Sequence, residues 1–147
     1  MYQYTACGLD NIWLKNGYEI SESPDGRGVS IHDLDSLHKL IAEGVVNKPA
    51  PLNGKEFRFL RMEMDLSQKA VGDLMDKTDQ MIARWEKGSN AVPVLADVAI
   101  RNLYMESIGK TPIAGLLKEL SHLDRQIHEL KIELEETQQG WKYEACA

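Results

Sequence analysis

The stretch LSQKAVGDLMDKTDQMIARWEKG, from Leu66 to Gly88, decides the fold of the central part of this chain. It predicts a short helix, a break at Asp76–Lys77–Thr78 and a second short helix that begins at once. Two helices this short cannot each bury much apolar surface, and many of their residues are polar. The arrangement indicates that the second helix is presented for contact with another molecule.

The size and composition of the chain exclude several classes of protein. It has 147 residues, 43% of them hydrophobic, which suits one globular domain or two small ones. We expect no membrane span, because no apolar run approaches about 18 residues, and the first residues predict no secretion signal. Cys7 and Cys146 form no Cys-x-x-Cys pair, and this usage favours a reducing cytoplasm.

The net charge of −6 is unevenly distributed along the chain. Residues 1–52 and 118–147 each carry 4 basic and 7 acidic side chains, whereas residues 53–88 carry 7 of each. The excess acid therefore lies at the two ends. A neutral middle can still bind DNA, but only through a few local phosphate contacts.

Residues 1–46 are predicted to form a small β-rich unit that ends in a helix. Asn16-Gly17 lies between two apolar runs, which is the strongest short-range signal for a hairpin turn. A second turn is predicted at residues 25–28. Leucines at helical spacing then predict a helix that stops at Gly44.

Residues 47–52 are predicted to be an extended linker, because they contain two prolines. Residues 53–109 are predicted to be all helix. Polar residues that suit the starts of the first three helices there are Asn53 (with Glu56 as a capping box), Ser67 and Thr78. Pro93 suits the first turn of the fourth helix, and Gly109 suits its stop.

The longest predicted helix follows Thr111-Pro112 within residues 110–139, and residues 140–147 are predicted to be a tail. Its apolar residues recur in steps of 3 and 4, an a/d heptad, at Ile113, Leu116, Leu120, Leu123, Ile127, Leu130 and Leu134. We expect these seven residues to form a dimer interface as a coiled coil. The alternative, an amphipathic helix folded onto its own domain, is also open.

The central helices resemble the helix-turn-helix of the phage repressor and Cro class, the Xre family. The resemblance rests on Ser67-Gln68 at the start of one helix and on the pattern I-x-x-W-E-x-G at the end of the next. Val71, Met75, Ile82 and Trp85 can share an inner surface, and Gly72 falls where the two helices pass closest. The resemblance extends over about residues 53–107.

The resemblance implies that the third helix of this domain lies in the major groove of DNA. The residues that it places at base edges are Thr78, Asp79, Gln80, Met81 and Arg84. Gln80 suits adenine and Arg84 suits guanine, whereas Asp79 departs from the pattern, since an acid there repels phosphates. It could accept from cytosine or orient Arg84.

The same resemblance implies three phosphate contacts, from Gln68, Lys77 and Lys87. It also implies a partly buried ion pair between Arg61 and Glu86, whose loss of one partner would be strongly destabilising.

The whole layout also resembles an antitoxin architecture, in which a zinc-binding β-rich domain precedes a repressor-type helix-turn-helix. That class uses two Cys-x-x-Cys pairs, and this chain has only Cys7 there. A metal site would have to recruit His32 and His38, so we expect no metal. We expect the unit to be held together by Trp13, Tyr18 and Ile20 instead.

These observations predict a mainly α protein with a small β-rich N-terminal unit, a central helix-turn-helix bundle and a long C-terminal helix. We expect a cytoplasmic, dimeric, repressor-type regulator that binds double-stranded DNA and has neither a cofactor nor an enzymatic activity. The alternative is an antitoxin-like or adaptor protein. It would bind a toxin-like partner through the N-terminal unit, with the helix-turn-helix serving for autoregulation or as a scaffold.

Overall fold

A computed structural model describes residues 1–109 and 134–143. The elements in chain order are strands β1 Tyr2–Gln3, β2 Trp13–Leu14, β3 Tyr18–Ser23 and β4 Gly26–Ile31, helices α1 Leu34–Val46, α2 Gly54–Glu63, α3 Gln68–Met75, α4 Asp79–Lys87 and α5 Val94–Ser107, and strands β5 Leu134–Thr137 and β6 Gly140–Tyr143. This confirms a mainly α fold with a small β-rich N-terminal unit. Among the described residues, no helix has both the length and the apolar character needed to cross a bilayer.

The helix starts follow the predicted side-chain caps. The Asn53 side chain accepts a hydrogen bond from the amide of Glu56, whose carboxylate accepts one from the amide of Asn53, both at 2.9 Å. The hydroxyls of Ser67 and Thr78 accept from the amides three residues later. Each cap satisfies a donor that the first helical turn would otherwise leave unpaired.

The predicted hairpin turn at Asn16-Gly17 is wrong. Strand β2 pairs with β1 and strand β3 pairs with β4, so the two runs flanking Asn16-Gly17 belong to different sheets. The true hairpin joins β3 to β4 through Pro24 and Asp25, earlier than the predicted turn at 25–28, because Ser23 pairs with Gly26. Strand pairing is non-local, and a turn signal cannot say which strands meet.

The side chains that hold the N-terminal unit also differ from the prediction. Trp13 is 55% exposed and Ile20 is 43% exposed, so neither is a core residue, and Tyr18 is only half-buried. The buried residues of these first strands and loops are instead Tyr4, Leu9 and Leu14.

Helix α1 continues past Gly44 to Val46, and the predicted linker after it is fixed in place. Leu52 is buried, and its amide donates to the Asp97 carboxylate at 2.7 Å. The Arg101 guanidinium donates to the carbonyls of residues 46, 48 and 50. We call residues 47–52 the junction segment, and it packs the N-terminal unit against the helical bundle instead of separating them.

One hydrophobic core spans both parts of the chain. From the N-terminal unit it contains residues such as Tyr4, Ile41 and Ala42, and from the bundle it contains residues such as Phe57 and Ile100. The ring centroids of His38 on α1 and Phe59 on α2 lie 5.6 Å apart, across the boundary between the two helices. The two predicted domains are therefore packed together.

The C-terminal prediction is corrected at its end. Residues 134–137 and 140–143 form an antiparallel hairpin, so the predicted helix does not reach residue 139, and residues 140–143 of the predicted tail form a strand. Leu134, the last predicted heptad residue, lies in β5. The other six heptad residues, Ile113 to Leu130, lie outside the described residues.

Candidate nucleic-acid interface

Helices α3 and α4 are held at a close approach by a glycine. A Cβ atom added to Gly72 would lie 2.5 Å from the carbonyl oxygen of Lys77, closer than real Cβ contacts allow. The amide of Lys77 in turn donates to the carbonyl of Gly72 at 2.8 Å. The sequence placed the closest approach at Gly72, and the contact is made with the turn that leads into α4.

The inner surface of the pair is apolar and fully enclosed. Val71 on α3 and Ile82 on α4 are completely buried, and Trp85 is 3% exposed. The Trp85 indole meets the Phe57 ring of α2 edge to face, with centroids 5.8 Å apart. Met75 lies half-buried at the margin of this core. This packing fixes the rotation of α4 about its own axis.

The predicted ion pair between Arg61 and Glu86 holds the buried face of α4 against α2. Nε and Nη2 of Arg61 donate to the two carboxylate oxygens of Glu86 at 2.7 and 2.8 Å. The Arg61 side chain is 8% exposed and that of Glu86 is 4% exposed, so both charges are removed from water. Arg61 Nη1 also donates to the carbonyl of Leu66. A forked, two-bond pair of this kind sets orientation as well as distance.

The opposite side of α4 is exposed and polar. Gln80, Arg84 and Lys87 recur in steps of 4 and 3, which places them along one face of the helix, and all three are exposed. None of the three side chains makes an ion pair within the described part of the chain. This face presents two cations and one amide to solvent.

The first turn of α4 is partly occupied by its own hydrogen bonds. The Thr78 hydroxyl accepts from the amide of Met81 at 3.2 Å, and the Asp79 carboxylate accepts from the amide of Gln80 at 2.9 Å. The Met81 side chain is half-buried, and the Asn90 amide contacts its sulfur. Of these residues, Asp79 keeps an exposed oxygen that does not take part in the cap.

The three residues predicted to contact phosphate differ in their exposure and in whether they already have a partner within the protein. Lys77 and Lys87 are exposed and without an ion partner among the described residues. Gln68 is half-buried, and its Nε2 donates to Oε1 of Glu86 at 3.2 Å. Gln68 is therefore hydrogen-bonded to the buried Arg61–Glu86 ion pair. Its position at the start of α3 did not indicate this contact.

The residues considered for a metal site do not gather. His32 is exposed beside Glu19, the Cys7 thiol is half-buried and donates to the carbonyl of Tyr4, and His38 lies elsewhere. Within residues 1–109 and 134–143, no three His, Cys, Asp or Glu side chains are close enough to share a metal ion.

A chain of three side chains at the α1–α2 boundary was missed from the sequence. The Tyr4 hydroxyl lies 2.8 Å from Nε2 of His38, and Nδ1 of His38 lies 2.6 Å from the Glu63 carboxylate. Burial raises the pKa of the Tyr4 phenol, and the neighbouring Cys7 and Glu63 raise it further. No local pattern links positions this far apart, so only the fold could reveal the contact.

Comparisons of the chain with protein-family models, with curated proteins and with solved structures find no match.

Proposed function

We propose that the protein is a sequence-specific DNA-binding transcriptional regulator, and that α4 is its recognition helix. The observation that carries the proposal is the contrast between the two sides of α4. Ile82, Trp85 and Glu86 are fixed within the bundle, while Gln80 and Arg84 face solvent. A helix that enters a major groove needs one face that is fixed against its own domain and an opposite face whose polar side chains are exposed.

The roles of the exposed residues follow from their chemistry. Gln80 offers an amide that can bond adenine in two places, and Arg84 offers the fork that matches guanine. The cap residues Thr78 and Asp79 and the half-buried Met81 lie at the end of α4 that would be nearest the base edges. The free Asp79 oxygen suits the amino group of cytosine.

Phosphate contacts complete the proposed interface. Lys77 and Lys87 flank the two ends of α4 and are unpaired among the described residues. Gln68 has one amide hydrogen turned to Glu86 and can offer the other to a phosphate. With the middle of the chain neutral, the salt dependence of binding should be moderate.

A homodimer is the second part of the proposal. Two copies related by a two-fold axis would present their α4 helices about 34 Å apart on a pseudo-palindromic site. Avidity would then compensate for the small number of cations per copy. A cytoplasmic repressor that acts by occupying its operator is the simplest regulator of this kind.

A second candidate is an antitoxin-like or adaptor protein that binds a protein partner. Exposed apolar side chains on the N-terminal strands favour it, namely Trp13, Ile20 and Val29. The paired residues Ile20 and Val29 face the same side of the β3–β4 hairpin. In this case α4 would serve autoregulation or act only as part of a scaffold.

The test is selection from a random duplex library, followed by fluorescence anisotropy on any enriched sequence at two salt concentrations. We expect saturable binding by the wild type and its loss in Gln80→Ala/Arg84→Ala. The matched control is Arg27→Ala/Gln138→Ala, which removes the same charge and amide from exposed positions in the two hairpins. It should bind like the wild type.

The outcomes separate the two candidates. Loss of binding in the control as well would mean that general charge, and not the α4 face, drives the interaction. Failure of the library to enrich any sequence would contradict the regulator and favour the protein-binding candidate. Circular dichroism on each variant establishes that the fold persists.

A further inference from the structure

An open apolar groove runs along α5 on the side of the N-terminal unit. Val94 is 75% exposed, Val98 is 50% exposed and Ile108 is 43% exposed. A cavity of about 460 Å³ lies at the Val94 end, and another of about 410 Å³ lies at the Ile108 end. The far wall of the first cavity is formed by Val46 of α1 and by the junction segment, and that of the second by Lys39 and Glu43 of α1. We call this surface the α1–α5 groove.

The α5 wall of the groove has a regular spacing. Five of the residues that line it, Val94, Val98, Arg101, Met105 and Ile108, recur in steps of 4, 3, 4 and 3, while Asp97, Asn102 and Tyr104 line it beside this row. This is the spacing at which one helix packs lengthwise against another. Exposed apolar residues in such a row, rather than scattered singly, mark a surface that is covered by a partner.

The one charged member of the row does not oppose coverage. The Arg101 guanidinium donates to Asp97 and to the carbonyls of Val46, Lys48 and Ala50. Its donors are directed to partners in the floor and wall of the groove. A second helix could therefore lie across this side chain without leaving its charge unpaired.

The end of α5 has the backbone geometry that stops a helix. Gly109 has φ +79°, and its amide donates to the carbonyl of Glu106 at 3.0 Å. A left-handed residue at this position ends a helix and turns the chain. Pro112, three residues later, suits the first turn of a new helix. A connection this short normally joins antiparallel neighbours.

The two rows of residues mirror each other across this connection. Counting away from it, the α5 row is spaced 3, 4, 3 and 4 from Ile108 to Val94, and the heptad is spaced 3, 4, 3 and 4 from Ile113 to Ile127. An antiparallel pair would set Ile108 against Ile113 and Val98 against Leu123. Both rows span 14 residue steps, about 21 Å as helix.

We propose that the α1–α5 groove is covered by residues 113–127 of the same chain, packed as a helix antiparallel to α5. In this arrangement the heptad residues pack against their own domain, so the proposed dimer would form through another surface. A second copy of α5 is a poorer occupant. Two-fold antiparallel packing would place Arg101 against the same arginine of the partner copy.

The test is a disulfide between the two rows in the full-length chain, with Cys7 and Cys146 replaced by serine. Val98→Cys/Leu123→Cys joins positions that the mirrored register sets opposite each other. The matched control is Val98→Cys/Ser121→Cys, because Ser121 lies two residues away and would point to the far side of the helix. Mild oxidation is followed by non-reducing gel electrophoresis and by mass spectrometry of the cross-linked peptides.

We expect most of the Val98→Cys/Leu123→Cys chains to form a disulfide at the mass of one chain, at every protein concentration, and the control to form little. A covalent dimer instead would overturn the proposal and assign the heptad to pairing between copies. No disulfide in either variant would also overturn it. Met105→Cys/Leu116→Cys repeats the test if the first variant does not fold, and neither variant touches the α4 face.

Discussion

Two arginines hold two regions of this molecule in different ways. Behind α4, Arg61 binds Glu86, 25 residues away in sequence, and both side chains are almost fully buried. At the junction segment, Arg101 binds Asp97, one helical turn away, and is 19% exposed. Arg61 holds one helix against another, whereas Arg101 donates to the carbonyl of Val46 at the end of α1 and to two carbonyls of the junction segment, which has no regular structure.

The difference shows two uses of the same side chain. The α4 region already has its backbone hydrogen bonds, and the ion pair adds orientation. The junction segment has no helix or strand hydrogen bonds for its carbonyls, so the Arg101 guanidinium donates hydrogen bonds to them instead. We therefore expect that removing one partner of the Arg61–Glu86 pair leaves an unpaired buried charge. Removing one partner of the Arg101–Asp97 pair should instead disorder the backbone locally.

The largest effect should come from Glu86→Ala. It leaves the Arg61 charge buried without its partner, and we expect the free energy of unfolding to fall by about 3–5 kcal/mol. Urea denaturation followed by circular dichroism measures it. Arg61→Met/Glu86→Leu is the control, because it removes both charges, and it should recover much of the loss. Equal losses in the two variants would show that the burial of charge is not the cause.

A smaller and more local effect is expected for Asp97→Ala. It removes the acceptor of the buried Leu52 amide, so the loss of stability should be about 1–3 kcal/mol. Hydrogen exchange should show lost protection at Leu52 while the amides of α4 change little. Asp97→Asn keeps an acceptor oxygen and should retain part of the protection. Uniform loss over the whole chain would contradict a local role.

The stability of the N-terminal unit should also respond to alkaline pH, through Tyr4. Burial raises the pKa of Tyr4 above its ordinary value of 10.0, so the folded state holds the phenol proton more tightly than the unfolded state. This contribution to stability is complete below pH 10 and is lost as the pH rises through the folded-state pKa. Tyr4→Phe should therefore lose less stability than the wild type as the pH rises above about 10.

Urea denaturation at several pH values measures this difference. Tyr104→Phe is an informative companion, because burial raises the pKa of that phenol too, with Glu63 and Glu43 adding to the effect. An identical pH dependence in the wild type and in Tyr4→Phe would show that Tyr4 does not titrate differently in the two states.

The smallest expected effect on stability is that of Gln68→Ala. It removes one hydrogen bond of 3.2 Å to Glu86 from a half-buried side chain, which should cost about 0.5–1.5 kcal/mol. Gln68→Glu should cost more, because a second carboxylate would lie beside Glu86. Thermal denaturation of the two variants ranks them. The reverse order would mean that Glu86 does not sense the side chain at position 68.

The parts of the fold that the sequence predicted are those with local causes. Asn53, Ser67 and Thr78 cap helices through hydrogen bonds that span three residues, so neighbouring letters suffice to see them. Gly72 was recognisable because its spacing from α4 is short. The Arg61–Glu86 pair was inferred only through the resemblance, since 25 residues separate its members.

The parts that the sequence did not predict depend on distant partners. Strands β1 and β2 have two residues each, too few to show an alternation, and they pair across a long loop. The heptad continued through Leu134 into a glutamate-rich stretch that suits a helix, yet residues 134–143 form a hairpin. Asp97 and Arg101 were spaced for an ion pair, but nothing nearby pointed to the carbonyls that Arg101 also binds.

The shared core has a consequence for the handling of the protein. The junction segment is where a sequence-based reading would divide the chain into two fragments. Such a cut would separate Ile41 and Ala42 from Phe57 and Ile100 and expose apolar surface on both pieces. We expect the isolated fragments to aggregate, so that structural or binding work on either half has to start from the undivided polypeptide.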